Sequence, residues 1–416
     1  MNSYDFIIKD VPNMPTAFIA EYGSGYPVIG LLGEYDALPG LSQKVCAEKN
    51  PVEEGGNGHG CEHNLIGTGL VGTAVALQET MRREKLAGTI RYYGCPAEEQ
   101  LIGKPMMAKE GVFDDLDIAL SWHPEKLNQV IQYSSLAVKS VKFRFKGISA
   151  HAAMAPQLGR SALDAVEIMN VGANYLREHV VDTARIHYVI TNGGKVPNAV
   201  PDDAEVWYMI RDQKQSMVEE ITERLYKIAE GAALITETSV SHKILSSCYE
   251  MIINPEVSEL IYKNMEEVGA PEFDDEDREF ARQFTDQMSE EARKEVMDSY
   301  FAPKEVRDNL PLHDKIYKPD DWGKVMPGTF DHGDVSNIVP FGYMFIAGLP
   351  VGMPGHTWQV TACAGADMGI KAMMCAAKIM AGTVYDLLQD NTLVERAKAS
   401  FEKEMNGRKY VSGLGD

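Results

Sequence analysis

The chain has 416 residues, of which 44% are hydrophobic and 24% charged, and its formal net charge at pH 7 is −21. These values are typical of a globular protein with two domains, and they exclude a basic nucleic-acid-binding surface. No apolar run approaches the roughly 20 residues that a membrane span needs, so we expect neither a nucleic-acid nor a membrane partner.

The N-terminus and the cysteines together indicate a cytoplasmic protein. The chain begins with MNSYDFIIKD, which lacks the apolar stretch of a signal peptide. The cysteines are dispersed, without the close spacing of a disulfide framework, so we expect reduced thiols. They are Cys46, Cys61, Cys95, Cys248, Cys363 and Cys375.

Short apolar runs that end in polar loops predict the strands of a mostly parallel sheet. Such runs occur at residues 27–33, 88–94 and 116–122. Between the first two, apolar residues recur at helical spacing at Leu70, Ala74, Leu77 and Met81. A strand–helix–strand order of this kind predicts a functional site in the crevice at the carboxyl ends of the strands.

Side chains that bind borderline transition metals follow these runs. They are Cys61 and His63 in GHGCEHN, Glu98 and Glu99 in GCPAEEQ, His123 in SWHPE, and His356 in PGHTWQ. The adjacent glutamates offer two roles, one carboxylate for a metal and one for moving protons. The pattern therefore predicts a metal-activated water with a general base beside it.

Each of these residues also has a purely structural interpretation. Cys61 can be an ordinary buried cysteine, and His123 a core histidine with its hydrogen bonds satisfied. The two glutamates can form a solvated turn, and His356 can be a turn residue in a loop rich in Gly and Pro. We interpret His59, which has glycine neighbours, as structural. The metal interpretation is favoured because a cation would neutralise one of two adjacent carboxylates that otherwise repel each other.

The middle of the chain predicts a smaller inserted domain, at residues 137–250. Its strand-like runs are 140–146, 186–191, 204–211 and 239–245. Ser161 opens one helix, with Asp164 three residues on, and a second helix has the apolar face Val218, Ile221, Leu225, Ile228 and Ala232. The order β-α-β-β-α-β is the ferredoxin-like arrangement.

The chain then returns to the first domain, which we assign to residues 1–136 and 251–416. Residues 367–388 predict a long packing helix near the end. Much of the acidic charge lies in residues 272–325, which we interpret as a solvated surface insertion.

Several long motifs resemble the M20 metallopeptidase family, in the amidohydrolase branch that uses a Cys-x-His motif. They are GEYDALPGLSQ, NGHGCEHNLIGT, YGCPAEE, EGVFDDLDIALSWHPE, FKGISAHAA, LGRSALDAV and HTWQ. The similarity runs from about residue 5 to residue 390. The resemblance implies an α/β fold: a mostly parallel-sheet metallohydrolase domain with an inserted ferredoxin-like lid or dimerisation domain. Relatives have a helical segment before the first strands, whereas this chain reaches NMPTAFIAEYG almost at once.

The resemblance also implies a set of site residues. The ligands of two divalent ions, manganese or zinc, would be Cys61, His63, Glu99, His123 and His356. Glu98 would be the general base. Glu34 stands where other branches of the family have a metal-binding histidine, and we expect Asp36 to lie behind the ligands rather than among them.

In the small domain, the resemblance implies that His151 reaches the site of a partner subunit and stabilises the oxyanion there. Asn198 and Arg211 match polar positions of that domain and are candidate substrate-binding residues. Their alternatives are a turn residue and a surface ion pair. We therefore expect a homodimer, or a hetero-oligomer with a homologous subunit.

The implied reaction is hydrolysis of the amide bond of N-acyl or N-aroyl amino acids, such as p-aminobenzoyl-glutamate. A dipeptidase or a general N-acyl-amino-acid hydrolase is the alternative within the same class. A non-catalytic partner subunit of a homologous hydrolase is the alternative from another class. A pure scaffold would need neither Glu98 nor the five ligands, which argues against it.

Overall fold

The computed structural model describes residues 1–302 and 311–415, which form two compact units. Unit 1 comprises Met1–Ser134, Ile252–Pro327 and Val335–Tyr410. Unit 2 comprises Ser135–Met251, Gly328–Asp334 and the residues from Val411 onward. Unit 2 therefore includes two segments, Gly328–Asp334 and the residues from Val411 onward, that lie far outside the range 137–250 predicted for the inserted domain.

The strands and helices alternate along most of the chain. The strands are β1 (Ile7–Val11), β2 (Met14–Ser24), β3 (Val28–Glu34), β4 (Gly88–Cys95), β5 (Ile118–Glu125), β6 (Gln129–Val130), β7 (Ala137–Lys146), β8 (Arg185–Asn192), β9 (Asp203–Asp212), β10 (Ser239–Cys248) and β11 (Phe341–Ala347). The helices are α1 (His63–Glu84), α2 (Gly103–Lys109), α3 (Ala162–Leu176), α4 (Gln215–Thr236), α5 (Pro255–Val268), α6 (Asp275–Thr285), α7 (Glu290–Ser299), α8 (His332–Ser336), α9 (Trp358–Ala364), α10 (Asp367–Gln389) and α11 (Asn391–Met405).

A seven-stranded mixed sheet forms the centre of unit 1, in the order β1-β2-β4-β3-β5-β11-β6. Strands β4, β3, β5 and β11 are parallel, whereas β1, β2 and β6 pair antiparallel at the edges. The predicted mostly parallel sheet is thus confirmed at its centre, and the edge strands make the whole sheet mixed.

Helix α1 packs on this sheet through the face that the sequence predicts. Leu70 and Ala74 are fully buried, and Leu77 and Met81 are nearly so. The same helix also contacts α10, where the Thr73 hydroxyl donates a hydrogen bond to the carbonyl of Ala377. Strands β3 and β5 are buried along almost their whole length, which explains their uninterrupted apolar sequences.

The carboxyl ends of the parallel strands lie at one edge of the sheet and carry the polar residues of interest. Glu34 ends β3 and is paired with Cys95, the last residue of β4. His123 lies near the end of β5, opposite Phe345 of β11. The loops that follow these strands therefore emerge side by side, as expected for a site in an α/β protein.

Unit 2 is built on a four-stranded antiparallel sheet in the order β10-β7-β9-β8. With α3 after β7 and α4 after β9, the predicted β-α-β-β-α-β arrangement is confirmed. The start of α3 is also as expected: the backbone N–H of Asp164 donates to Ser161 Oγ at 3.1 Å. The Ser161 hydroxyl in turn donates to the Asp164 carboxylate at 2.7 Å.

The acidic stretch 272–325 is more than the solvated surface insertion that its charge suggests. Ala281 and Phe284 of α6 are buried, together with Leu312, against Leu349 and Val360 of unit 1. The charges occupy the outer positions of these helices while the apolar residues face inward, a division that the net charge of a segment does not reveal. Residues 303–310 of the stretch lie outside the described residues.

In residues 1–302 and 311–415, none of the helices has the length and apolar character that crossing a bilayer requires. The six cysteines, all within these ranges, are free thiols.

Replacing Phe284 by alanine tests the packing of the acidic stretch. Phe284 is only 2% exposed, so we expect Phe284→Ala to lower the free energy of unfolding by about 3–5 kcal/mol, as for other large-to-small changes in cores. Trp322→Ala is the control, because Trp322 belongs to the same stretch but is 58% exposed. We expect this control to change stability by less than about 1 kcal/mol in urea denaturation. Equal effects of the two changes would contradict the packing described.

Candidate metal centre

The five side chains proposed as metal ligands lie together at the carboxyl edge of the unit 1 sheet. Ligand atoms of Cys61, His63 and His123 all lie within 4.8 Å of one another. The same holds for a second group, Cys61, Glu99 and His356. Because Cys61 belongs to both groups, its sulfur is placed to contact two ions.

The loop before α1 is shaped by close backbone contacts. Gly58 exchanges two backbone hydrogen bonds with Leu38, and a Cβ at position 58 would lie 1.9 Å from the carbonyl oxygen of Leu41. Glu62 then adopts a left-handed conformation, with φ of 53°, and α1 begins at His63. The backbone N–H of His356 donates to the Gly60 carbonyl at 3.0 Å, which ties the distant His356 loop to this segment.

Two hydrogen bonds orient the histidines. His63 donates from Nδ1 to Asp36 Oδ1 at 2.9 Å, and His123 donates from Nδ1 to the Pro124 carbonyl at 2.5 Å. In both rings the other nitrogen, Nε2, is left for the cluster, and that of His123 lies 3.5 Å from Cys61 Sγ. Asp36 also accepts from the backbone N–H of Glu99 at 3.1 Å. It therefore lies behind two of the candidate ligands, where such partners fix the tautomer of a ligating histidine.

The two adjacent glutamates face the cluster differently. Glu99 places Oε1 4.0 Å from His63 Nε2 and Oε2 3.4 Å from His356 Nε2. Glu98 is buried and places Oε2 3.8 Å from His63 Nε2. Glu99 thus contacts both halves of the cluster, while Glu98 lies beside it.

Surplus negative charge and burial shape the pKa values of these groups. Burial alone would lower the pKa of His63, but the hydrogen bond to Asp36 and the nearby carboxylates, Glu34 among them, raise this pKa to about 10. Burial and the neighbouring carboxylates, Glu99 first, raise the pKa of the Cys61 thiol well above its usual range. A thiolate at this place therefore requires a compensating cation.

The residues present fit divalent metal ions. Among residues 1–302 and 311–415, His63 Nε2 and Glu99 Oε1 find no hydrogen-bond partner although they are buried, and they face each other at 4.0 Å. Leaving such groups unsatisfied costs about 1–3 kcal/mol each, and an ion between them would remove that penalty. Nitrogen, sulfur and oxygen donors together are the usual ligands of zinc and similar metals.

The charge of the named side chains agrees with a pair of ions. With His63 neutral, as a metal ligand must be, the four carboxylates and the thiolate carry five negative charges, and the buried Lys104 ammonium carries one positive charge. Two divalent ions would neutralise the remainder. The negatively charged groups are Glu34, Asp36, Cys61, Glu98 and Glu99.

Lys104 and Glu62 are buried at the site, and their sequence context does not single them out. Lys104 is completely buried and donates to Glu34 Oε1 at 2.5 Å, yet GKPMMAK is typical of an ordinary helix start. Glu62 is 3% exposed, and its Oε1 has no hydrogen-bond partner in the part of the chain that the structure describes. Burial, followed by the charge of Glu125, raises the pKa of Glu62 well above its usual range.

The three candidate residues of the small domain belong to unit 2, and they do not lie together. His151 and Asn198 are neighbours, because the N–H of Ala152 donates to the Asn198 carbonyl at 3.0 Å. Arg211 lies near the far end of β9, paired with Val138 at the start of β7. The nine residues from Asp203 to Arg211 are eight steps apart and span about 27 Å at about 3.4 Å per step. The loop that carries Asn198 precedes β9, whereas Arg211 lies near the other end of that strand.

The surroundings of Arg211 differ from the surface ion pair considered as its alternative. The guanidinium group is half-buried, and burial lowers its pKa. Within residues 1–302 and 311–415, no acidic side chain forms an ion pair with it.

Comparison with known proteins relates the chain to one family. The model of the M20 peptidase dimerisation domain matches residues 134–237. The chain is 40% identical to a component of the p-aminobenzoyl-glutamate hydrolase of Escherichia coli, over 97% of this chain and 86% of that protein. It is 27% identical to the Xaa-Arg dipeptidase of Mus musculus, over 96% of this chain and 80% of that protein.

A solved structure agrees with this relationship at the level of the fold. The chain resembles a dinuclear metal-binding peptidase of the M20 family from Bacillus subtilis, with a TM-score of 0.59 and 18% sequence identity. The match covers 93% of this chain and 89% of that one.

Asp36 provides a test of the geometry around His63. We expect Asp36→Ala to weaken divalent-metal binding by about 10–100-fold, because His63 loses the acceptor that fixes its tautomer. Competition with a chromogenic chelator measures the dissociation constant. Asp10→Ala, which removes an exposed carboxylate of the same unit, should leave metal binding unchanged. Unchanged metal binding in Asp36→Ala would show that Asp36 does not orient His63 for the metal.

Proposed function

Because this chain belongs to the M20 family of metallopeptidases and amidohydrolases, we propose that it hydrolyses the amide bond of N-acyl or N-aroyl amino acids. The proposal rests on one observation: Glu98 lies beside a cluster of five candidate metal ligands, Cys61, His63, Glu99, His123 and His356. The substrate we propose is p-aminobenzoyl-glutamate, the compound in the name of the relative that is 40% identical.

Glu98 is the residue we assign to proton transfer. Divalent cations, when bound at this centre, supply Lewis acidity that makes water more acidic and polarises a carbonyl group. Glu98 is buried beside the ligands, so its carboxylate can take the proton of the attacking water and return it to the leaving amine. Glu99, with an oxygen toward each of two histidines, is the ligand of the pair.

We propose zinc rather than manganese for this centre. The donors are one thiolate, three imidazoles and one carboxylate, from Cys61, His63, His123, His356 and Glu99. Thiolate and imidazole suit zinc, whereas manganese prefers carboxylates, carbonyls and water.

His151 is suited to stabilise an oxyanion, and we propose that it acts in the site of a second subunit. Its Nδ1 accepts from the backbone N–H groups of Ala153 and Met154, at 3.2 and 3.1 Å. The proton of the neutral ring is therefore on Nε2, which can donate to a negatively charged oxygen. The side chain is exposed in unit 2, in the region matched by the dimerisation-domain model.

We propose that the candidate substrate residues are divided between subunits, because Arg211 and the loop that carries Asn198 lie at opposite ends of β9. Asn198 lies beside His151, so both would serve the partner's site. Arg211, about 27 Å from the start of β9 at a rise of about 3.4 Å per residue, would serve a different one. Its half-buried guanidinium matches the planar carboxylate of a glutamate-like substrate.

Exchanging each adjacent glutamate for its amide separates the two roles. We expect Glu98→Gln to keep its metal and to lose about 10²–10⁴-fold in turnover, because an amide cannot accept the proton. Glu99→Gln should instead lose metal. Metal content by mass spectrometry and hydrolysis of p-aminobenzoyl-glutamate by the isolated chain measure the two effects. Turnover of Glu98→Gln within about threefold of the unaltered chain would exclude Glu98 as the base.

Mixing two inactive variants tests the trans role of His151. Chains carrying Glu98→Gln and chains carrying His151→Ala should regain activity after subunit exchange, because one hybrid site then has both residues intact. The matched control mixes Glu98→Gln with Glu99→Ala, a pair that leaves no site complete, and it should stay inactive. If exchange is demonstrated and the first mixture also stays inactive, His151 does not act in a partner's site.

A further inference from the structure

A buried lysine lies next to the candidate metal centre, in a place that the proposed reaction does not use. Lys104 is fully buried in α2 and donates to Glu34 Oε1 at 2.5 Å. Its position depends on Gly103, because a Cβ there would lie 1.7 Å from the carbonyl oxygen of Pro96. The close approach of α2 to the loop after β4 brings the ammonium group to the end of β3.

Stability alone does not explain this pair. Removing two charges from water costs several kcal/mol per ion, and apolar residues in place of a buried ion pair are often neutral or stabilising. Neither residue is at the surface: Glu34 is 1% exposed and Lys104 is 0% exposed. A role in the neighbouring metal centre explains this buried ion pair better than stability does.

The second oxygen of Glu34 reaches that site. Glu34 Oε2 lies 3.5 Å from His63 Nε2, the nitrogen that is left free for a metal by the hydrogen bond from Nδ1 to Asp36. One oxygen of Glu34 thus binds the Lys104 ammonium group, and the other lies within reach of the metal position beside His63. A carboxylate shared with an ammonium group is a weaker electron donor than a free one.

We propose that Lys104 is a positioning residue that keeps Glu34 out of the metal coordination sphere. With the ammonium present, Glu34 is neutralised and held by Oε1. Without it, the carboxylate would turn to the metal position beside His63 and add both a hard oxygen donor and a negative charge. Lys104 therefore sets the number of ligands and, through them, the acidity of the metal centre.

This inference rests on the proposed metal-dependent function, and zinc binding to the purified full-length chain tests it. The decisive comparison is Lys104→Met against the double variant Lys104→Met/Glu34→Gln, since the two differ only in the carboxylate. We expect the single variant to bind zinc at least about tenfold more tightly than the double variant, as expected for an unneutralised carboxylate within a few ångströms of a divalent ion. It should also bind more tightly than the unaltered chain.

Lys109→Met is the matched control, because Lys109 ends the same helix but is exposed. It should leave zinc affinity within about twofold, since an exposed charge is screened by solvent. If metal-free Lys104→Met is folded but too unstable for binding measurements, the zinc-dependent rise in its unfolding temperature, compared with that of the double variant, gives the same ranking.

The outcomes separate this inference from the proposed function. If the unaltered chain binds no divalent metal, both fail together. If it binds zinc and hydrolyses its substrate, but Lys104→Met binds no more tightly than the double variant, only the role of Lys104 is wrong. A loss of affinity in Lys104→Met would likewise overturn it, because a merely structural lysine would produce that loss.

Discussion

Electrostatic repulsion among carboxylates at one edge of the unit 1 sheet is the constraint on which the site depends. Glu34, Asp36, Glu98 and Glu99 all lie within 4.0 Å of a nitrogen of His63, in a place largely closed to solvent. Such an arrangement is compensated either by protonation or by positive charge supplied nearby. Lys104 supplies part of it from within the chain, and the cluster of nitrogen, sulfur and oxygen donors is suited to take the rest as divalent cations.

Holding these donors together requires backbone conformations that residues other than glycine rarely adopt. Glu62 has φ of 53°, Ala97 has φ of 57° and His356 has φ of 56°. Each of the three is a candidate ligand or stands within two residues of one. Strained conformations of this kind cost about 1–3 kcal/mol each and persist where the surrounding structure enforces them, often at functional sites. Here the surrounding structure includes the hydrogen bond from His356 to Gly60 and the close packing of Gly58 on Leu41.

Local patterns in the sequence predict much of the fold. They do not predict contacts between segments that are distant in the sequence. The apolar runs predicted β3, β4 and β5, and the order of elements predicted the unit 2 sheet. Ligand chemistry and motif resemblance predicted the five residues that lie together, although their roles stay predictions. The pairing of Lys104 with Glu34 was missed because a lysine at a helix start is ordinary, and only the approach of α2 to β3 makes it unusual. The separation of Asn198 from Arg211 follows from strand register, which the two short motifs do not contain.

Anomalous diffraction can show whether two cations share this cysteine-containing centre. Crystals of the full chain grown with zinc should show two anomalous peaks at the zinc edge, both at ligand distance, about 2.3 Å, from Cys61 Sγ. His63 and His123 should contact one peak, and Glu99 and His356 the other. Peaks that lie elsewhere, with this cluster empty under saturating zinc, would mean that these five side chains do not form a metal site.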